Sequence, residues 1–303
     1  MTMTRRNFIK TSAIAGGILA GPSAAHKGIN INTRTAGSKG LKLSFRPYEL
    51  HARHQFTISG FSRNVQTSIL TEISYDGVTG YGEAPLPPYM EGQTPATASA
   101  FMKKVDLGQF RDPLELDDIL TYLEGVDAGH TGAKAGIDIA LHDLAGKLIG
   151  RPLYQIWGYT RSKTPDTTMT IGIDSEDVVR KKTEEAAPFN LIKVKLGMDE
   201  ATDKMLIETV RSVTDKPITI DANQGWRDKH YALDMIHWLK ERGVILIEQP
   251  LPKDVWDDMA WLTEKSPLPT IADESCQRLT DVPRLRGVFS GINIKLLKCT
   301  GLR

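Results

Sequence analysis

The second half of the chain carries a charged residue at the end of one predicted strand after another. From Met169 onward, short apolar strands alternate with amphipathic helices, which is the pattern of a parallel sheet built from βα units. The charged residues at or near the strand ends are Lys195, Asp221, Glu248, Asp273 and Lys295. They lie about 25 residues apart, the length of one unit of a (β/α)₈-type barrel, whose strands all end at one mouth. The pattern therefore predicts an α/β chain in which these five side chains meet.

Three of the five residues are acids on adjacent predicted strands. Any one of them alone would be better explained as a helix cap or a surface ion pair, but five residues in phase argue against coincidence. Asp221, Glu248 and Asp273 would offer oxygen ligands to one hard cation, with Mg²⁺ as the expected ion. The histidines form no HExxH motif, and Cys276 and Cys299 are too few for a zinc cluster. We expect two unrelated buried thiols, although an oxidising compartment would permit a disulfide.

The segment from Ile192 to Gly197 resembles a buried strand that contains two lysines, Lys193 and Lys195. Alternate strand residues point the same way, so both ammonium groups share one face. An isolated KVK is most simply an edge strand with two solvated lysines. Placed in phase with the acids, the pair instead predicts cations at the barrel mouth, because a buried ammonium needs a compensating charge.

The charge balance limits the classes of partner. Lys plus Arg is 38 and Asp plus Glu is 37, which provides no basic excess for nucleic acid. No run approaches the roughly 20 apolar residues of a membrane helix. We therefore expect a small-molecule substrate, no nucleic acid and no stable membrane anchor, and the sequence leaves a homo-oligomer open.

Residues 1–25 resemble a twin-arginine export signal. The motif is Thr4-Arg5-Arg6-Asn7-Phe8-Ile9-Lys10, followed by a short apolar run and by the small residues Ser23-Ala24-Ala25. The alternative is a disordered N-terminus that is retained. We predict that residues 26–40 form a linker and that the mature protein is periplasmic, exported through this signal.

The pattern of strands followed by helices in residues 41–160 predicts a separate α+β domain. An antiparallel meander contains a hairpin at Asp76-Gly77 and a Gly-rich loop from Ile58 to Asn64. A long helix of small and apolar residues runs from Thr131 and stops at Gly150. It carries three polar residues that we interpret as satisfied groups of a packed helix rather than as metal ligands: Asp138, His142 and Asp143.

The chain resembles the enolase superfamily, muconate-lactonizing subgroup, and within it the dipeptide epimerases. The resemblance runs from about Leu41 to the last residue. The matching barrel segments are Lys193-Val194-Lys195, Asp221-Ala222-Asn223-Gln224-Gly225-Trp226, Glu248-Gln249-Pro250, Ala272-Asp273-Glu274-Ser275 and Asn293-Ile294-Lys295-Leu296. Earlier, Gly82-Glu83-Ala84 and Ala140-Leu141-His142-Asp143-Leu144 match the family's capping domain.

The resemblance implies an α+β capping domain over residues 41–160 and a (β/α)₇β barrel over residues 161–303. It implies that the acids bind one Mg²⁺ per subunit, with Asp221, Glu248 and Asp273 as its ligands. Lys195 and Lys295 would be the acid/base pair on opposite faces of the substrate α-carbon. Lys193 would be a supporting lysine, whose like charge lowers the neighbouring pKa.

The resemblance also implies a reaction, the epimerisation of a dipeptide such as L-Ala-D/L-Glu from murein peptides. One lysine removes the α-proton to give an enediolate and the other returns a proton on the opposite face. We place Arg63, in the predicted Ile58–Asn64 loop, against a substrate side-chain carboxylate, although a solvated loop arginine is an equal alternative. The expected periplasmic location agrees with this substrate, because murein peptides would be supplied there.

Other functions remain open at this point. An o-succinylbenzoate synthase or a muconate cycloisomerase would share the metal site, and so would a truncated, non-catalytic exported protein. The chain ends at Thr300-Gly301-Leu302-Arg303, directly after the sixth predicted barrel strand. Family members continue through two more strands, one of which carries an Asp-x-Asp motif that binds the dipeptide ammonium. We therefore expect a barrel truncated after its sixth strand.

Overall fold

The computed structural model describes residues 40–87 and 92–302 of the chain. They fall into two compact units. The first contains residues 40–50, 67–164 and 300–302 as far as they are described, and the second contains His51–Gln66 and Pro165–Cys299. The predicted export signal, residues 1–25, and the predicted linker before residue 40 lie outside the described residues.

Three strands and four helices make up most of the first unit. The strands are β1 (Lys42–Ile58), β2 (Phe61–Tyr75) and β3 (Val78–Pro85), in the order β1-β2-β3 and with β2 and β3 antiparallel. The tip of the β1–β2 hairpin belongs to the second unit. The helices are α1 (Pro95–Lys104), α2 (Leu116–Val126), α3 (Thr131–Ile149) and α4 (Leu153–Ile156).

Two glycine positions in the first unit agree with the sequence pattern. Asp76 and Gly77 have φ of 47° and 79°, the two left-handed residues that a tight hairpin requires. Gly150 has φ of 71° and its N–H donates to the carbonyl oxygens of Gly146 and Lys147, so it ends α3 as predicted.

Gly82 lets β3 approach α3 more closely than any side chain would allow. A Cβ on Gly82 would lie 2.0 Å from the carbonyl oxygen of Gly136.

The polar residues of α3 bond to neighbours within the first unit. His142 Nδ1 lies 2.9 Å from the carbonyl oxygen of Asp138, and Asp138 Oδ1 accepts the N–H of Leu302 at 2.7 Å. Asp143 accepts the Lys147 ammonium. The three residues therefore have structural partners.

The second unit is a parallel, barrel-type sheet of six strands in sequential order, as the spacing predicts. The strands are β4 (Thr168–Ile171), β5 (Leu191–Lys195), β6 (Ile218–Asp221), β7 (Val244–Glu248), β8 (Thr270–Ala272) and β9 (Gly291–Ile292). Between and after them lie α5 (Glu176–Glu185), α6 (Glu200–Val213), α7 (Lys229–Lys240), α8 (Trp256–Lys265) and α9 (Leu296–Cys299).

Strand register aligns the charged residues across the sheet. Lys195 pairs with Asp221 across β5 and β6, and Asp221 pairs with Glu248 across β6 and β7. The residues that precede them, Val194 and Ile220 among them, are completely buried. Because alternate residues point to opposite faces, this apolar set packs on the helix side and leaves the charged set on the inner side.

The last predicted strand is shorter in the structure than in the sequence pattern. The spacing of the charged residues places Lys295 at or near the end of a predicted strand, whereas β9 ends at Ile292. One more ladder bond follows, from the Asn293 N–H to the Ala272 carbonyl at 2.7 Å. The carbonyl of Lys295 then accepts the N–H groups of Lys298 and Cys299, so Lys295 lies where the chain turns into α9.

The predicted Ile58–Asn64 loop is wrong. Gly60 has φ of 76°, which lets Ser59 and Gly60 form a two-residue turn, and β2 resumes at Phe61. Arg63 therefore lies on a strand. Within the second unit, Ser59 Oγ donates to the Gly197 carbonyl at 2.9 Å, and Ile173 N–H donates to the Thr57 carbonyl at 3.0 Å.

In residues 40–87 and 92–302, no helix combines the length and the apolarity that crossing a bilayer requires.

Candidate active site

The three predicted acids converge at the carboxyl ends of β6, β7 and β8. One carboxylate oxygen from each of Asp221, Glu248 and Asp273 lies within 4.8 Å of the others. All three are at least 95 % buried, since their exposed fractions are 0 %, 5 % and 1 %. Within the described part of the chain, they are the one group of three or more His, Cys, Asp or Glu side chains with a geometry that could hold a metal ion.

The electrostatics of this triad favour a cation. Burial, then the charge of Asp221, raises the pKa of Glu248 to about 7. Burial also opposes ionisation of Asp221, but the ammonium groups of Lys195 and Lys193 outweigh it and hold its pKa below the usual range. Asp273 behaves in the same way beside Lys295 and Lys298. Three carboxylates compressed into a buried pocket thus repel one another, and a hard divalent cation would relieve that repulsion.

The lysines of β5 both bond to the triad. Lys195 Nζ donates to Asp221 Oδ2 at 2.6 Å and to Asn223 Oδ1 at 3.1 Å. Lys193 Nζ bridges Asp221 Oδ2 at 3.1 Å and Glu248 Oε2. Burial disfavours the Lys193 ammonium, but the charges of Asp221 and Glu248 outweigh it and raise its pKa. Lys193 and Lys195 are therefore ion-paired cations at the barrel mouth rather than the solvated lysines of an edge strand.

Lys295 lies at the opposite side of the triad. Its Nζ donates to Asp273 Oδ2, and its side chain is more exposed than that of Lys195. In strand order, β5, which ends at Lys195, precedes the three acidic strands, and β9, which lies just before Lys295 in the chain, follows them. The structure thus brings together all six residues that the sequence singled out for the metal and the proton transfer.

Sequence reasoning missed Lys298 and did not assign roles to the side-chain amides of Asn293 and Gln249. Lys298 Nζ donates to Asp273 Oδ1 at 2.7 Å. The Asn293 amide donates to Glu248 Oε1 at 2.7 Å. The Gln249 side chain accepts the Asp273 N–H at 3.0 Å and donates to Ser275 Oγ at 2.9 Å. The amides lie inside the matched motifs. Lys298 follows Lys295 by one helical turn, a signal hidden by the strand predicted there.

Arg63 lies in the second unit with its guanidinium over two aromatic rings. Its Cζ is 5.6 Å from the ring centre of Phe56 and 6.0 Å from that of Phe61. These are cation–π contacts, in which the ring faces attract the positive charge of the guanidinium. Its predicted role towards a substrate carboxylate stays a prediction. Both cysteines are free, with Cys276 buried and Cys299 partly exposed.

Two family descriptions match the chain. The domain described as mandelate racemase / muconate lactonizing enzyme, N-terminal domain, matches residues 45–158, and the one described as enolase C-terminal domain-like matches residues 176–303. Together with the relatives below, these matches show that the chain belongs to the enolase superfamily, in its mandelate racemase and muconate lactonizing branch. The family prediction is confirmed.

Among its relatives, the chain is similar to an L-Ala-D/L-Glu epimerase from Bacteroides thetaiotaomicron, with 56 % identity covering 99 % of this chain and 79 % of the relative. An L-Ala-D/L-amino acid epimerase from a Maribacter species is 37 % identical, covering 86 % and 76 %. A dipeptide epimerase from Enterococcus faecalis, solved with Mg and L-Leu-L-Tyr, superimposes with a TM-score of 0.79 at 30 % identity, covering 87 % and 76 %.

Proposed function

We propose that this protein is a Mg²⁺-dependent dipeptide epimerase, an isomerase that inverts the C-terminal residue of L-Ala-D/L-Glu-like dipeptides. One observation carries the proposal: the Lys195 and Lys295 ammonium groups bond to opposite members of a single buried acidic triad. A triad flanked by two lysines suits 1,1-proton transfer, because one lysine can remove a proton from a carbon and the other can return one.

The chain's own residues account for the proton movements. One of Lys195 and Lys295, in its neutral form, takes the α-proton of the C-terminal residue onto Nζ, and the electrons move into the carboxylate to give an enediolate. The other lysine, in its ammonium form, donates a proton to the opposite face of the α-carbon. Lys193, which carries an ammonium beside Asp221 and Glu248, adds positive charge where the enediolate develops.

The donor set fits one Mg²⁺ held by Asp221, Glu248 and Asp273. The ion when bound would supply Lewis-acid stabilisation of the substrate carboxylate as its negative charge increases. Asn293 fixes Glu248, Lys195 fixes Asp221 and Lys298 fixes Asp273. Each carboxylate is therefore oriented by a hydrogen bond before any cation arrives.

The dipeptide specificity draws support from the Bacteroides and Maribacter relatives, which are named as epimerases of L-Ala dipeptides. We propose Arg63 as the partner of the glutamate side chain of the substrate, because its guanidinium belongs to the unit that holds the triad.

Proton NMR in D₂O tests the activity. With Mg²⁺ present, L-Ala-L-Glu is expected to exchange its C-terminal α-proton for deuterium and to yield L-Ala-D-Glu. Loss of water from a succinylbenzoate precursor, or lactone formation from muconate, would instead indicate one of the alternative enzymes of the superfamily. Metal binding without α-proton exchange on any dipeptide would indicate a non-catalytic protein.

We also propose a periplasmic location and a role in murein peptide metabolism, supported by the twin-arginine motif at Arg5-Arg6. The replacement of both arginines by lysine is expected to retain the protein in the cytoplasm, as cell fractionation would report. A barrel truncated after the sixth strand and a homo-oligomer both stay predictions.

A further inference from the structure

Lys298 is a buried lysine with three acceptors around its ammonium. Nζ lies 2.6 Å from the carbonyl oxygen of Asp273, 2.7 Å from Oδ1 of the same residue and 3.3 Å from the carbonyl oxygen of Asn293. An ammonium has three N–H bonds, so these contacts satisfy all of its donors. The side chain is only 5 % exposed, which leaves it little room to change partners.

These contacts divide the two oxygens of Asp273 between two lysines. Oδ1 accepts from Lys298, and Oδ2 accepts from Lys295. The Asp273 N–H is held separately by the side-chain oxygen of Gln249 at 3.0 Å. Lys298 thus bonds to the main chain and the side chain of the same residue, which fixes the torsion angles that aim the carboxylate.

The two lysines cannot serve the same purpose. In the proposed reaction Lys295 alternates between ammonium and amine, so its hydrogen bond to Oδ2 cannot persist unchanged through the cycle. Lys298 has no such task and is shielded from solvent. Its bonds can therefore keep Oδ1 occupied, so that Oδ2, the acceptor of Lys295, is the oxygen left for a cation.

We propose that Lys298 is a positioning residue for the metal site, which clamps Asp273 so that only Oδ2 is offered to the cation. The inference rests on the proposed metal site and not on which dipeptide is turned over. It contrasts with a simpler role for Lys298, the screening of negative charge. A screening lysine would weaken cation binding, so its removal would tighten it. A positioning lysine would instead strengthen cation binding, so its removal would weaken it.

Mn²⁺ binding to the full-length chain separates the two roles, with affinity measured by titration and the ligand symmetry by electron paramagnetic resonance. Lys298→Met is expected to weaken Mn²⁺ binding by about tenfold or more, in the range typical of groups that orient metal ligands, and to broaden the resonance of bound Mn²⁺. Unchanged or tighter binding would overturn the proposal.

Lys182→Met is the matched control. Lys182 is also buried and also bonds to one carboxylate and one carbonyl, Asp174 Oδ2 at 3.0 Å and Gln55 O at 3.2 Å. Its loss is expected to lower the melting temperature while leaving the Mn²⁺ affinity of the folded protein unchanged. Equal loss of affinity in both variants would overturn the proposal, because it would reflect general destabilisation.

A variant that does not fold and a wild-type chain that binds no metal are two further outcomes of this experiment. If Lys298→Met does not fold, Lys298→Arg is measured instead, since it keeps the charge but its planar fork cannot reproduce the contacts of one ammonium. About threefold weaker Mn²⁺ binding is then expected, and wild-type affinity would overturn the proposal. A wild-type chain that binds no Mn²⁺ or Mg²⁺ would overturn the metal site itself, whereas an unaffected Lys298 variant would leave the proposed epimerase intact.

Discussion

Lys193 and Lys195 donate to the same atom, Oδ2 of Asp221, at 3.1 and 2.6 Å. Two like charges therefore meet at one oxygen that is completely buried. The attraction of each ammonium for Asp221 offsets the repulsion between them. The carboxylate consequently stabilises the end of β5 as well as serving as a candidate metal ligand.

Asp221→Asn is therefore expected to lower the free energy of unfolding of the metal-free protein by about 3 kcal/mol, the cost of leaving buried charges without their partner. Urea denaturation in the presence of a chelator measures this change. Glu264→Gln, at an exposed ion pair with Lys265, is the control and should leave the urea midpoint in place. An Asp221 variant with wild-type stability would contradict the shared ion pair.

The two proposed bases should be separable by isotope exchange. Lys195→Ala and Lys295→Ala are each expected to reduce epimerisation by about 10³-fold, because each removes one acid/base group. Each variant should still exchange the α-proton of the one epimer that faces its remaining lysine. Proton NMR in D₂O with L-Ala-L-Glu and L-Ala-D-Glu would show opposite preferences, and Lys204→Ala on the exposed face of α6 should behave as wild type. Exchange of both epimers by either variant would exclude a two-base mechanism.

The raised pKa of Glu248 predicts a pH dependence. An unfolded glutamate titrates near 4.5 and the folded group at about 7, so between these values only the folded chain retains the proton. The free energy of unfolding of the metal-free protein should therefore fall as the pH rises from 4.5 to 7, and this contribution should level off above 7. Urea denaturation across this range measures the slope, and Glu248→Gln should remove the part that belongs to Glu248.

Metal binding should have the opposite dependence on pH. A cation requires the ionised carboxylate, so Mg²⁺ affinity is expected to rise about tenfold per pH unit up to about 7 and then to level off. Calorimetry in buffers of different ionisation enthalpy would detect one proton released per Mg²⁺ at pH 6. An affinity that does not change with pH would contradict the raised pKa.

Arg63 provides a test of substrate specificity. Arg63→Met keeps an apolar stem against Phe56 and Phe61 but removes the charge. We expect KM for L-Ala-L-Glu to rise about tenfold or more with little change in kcat, because uniform binding is lost. A dipeptide with an uncharged C-terminal side chain should be unaffected. Arg53→Met, at an exposed arginine paired with Glu185, is the control. Equal effects on both dipeptides would exclude Arg63 as the carboxylate partner.

Asp203 ties the loops that follow β5 and β6. It is buried, accepts the N–H of Gly197 at 3.0 Å and accepts Trp226 Nε1 at 3.0 Å. Burial raises the pKa of Asp203. Trp226→Phe removes one of these bonds and should lower the free energy of unfolding by about 2 kcal/mol, as expected for a hydrogen bond to a charged group. Urea denaturation checks this value, with Trp238→Phe on α7 as the control.

Much of the site could be predicted, because the spacing of βα units and the register of a parallel sheet determine which side chains become neighbours. Once β5, β6 and β7 are assigned, Lys195, Asp221 and Glu248 must lie side by side. The end of β9 was harder, since whether Lys295 extends a strand or begins a turn depends on hydrogen bonds to β8 and α9. The partners of Lys298 and Gln249 lie on other strands, and no local pattern reports them. The error in the predicted Ile58–Asn64 loop had a local cause, because Gly60, with its positive φ, forms a two-residue turn with Ser59.

No two acids of the triad come from the same strand, and neighbouring ones are separated by a whole helix. An unfolded chain therefore offers no chelate, and a cation can be captured only after β6, β7 and β8 have assembled. If that assembly completes after the folding barrier, the bound ion slows unfolding and leaves the folding rate unchanged. Because the ligands are divided among three strands, the metal would stabilise the sheet after it has formed and would not nucleate its folding.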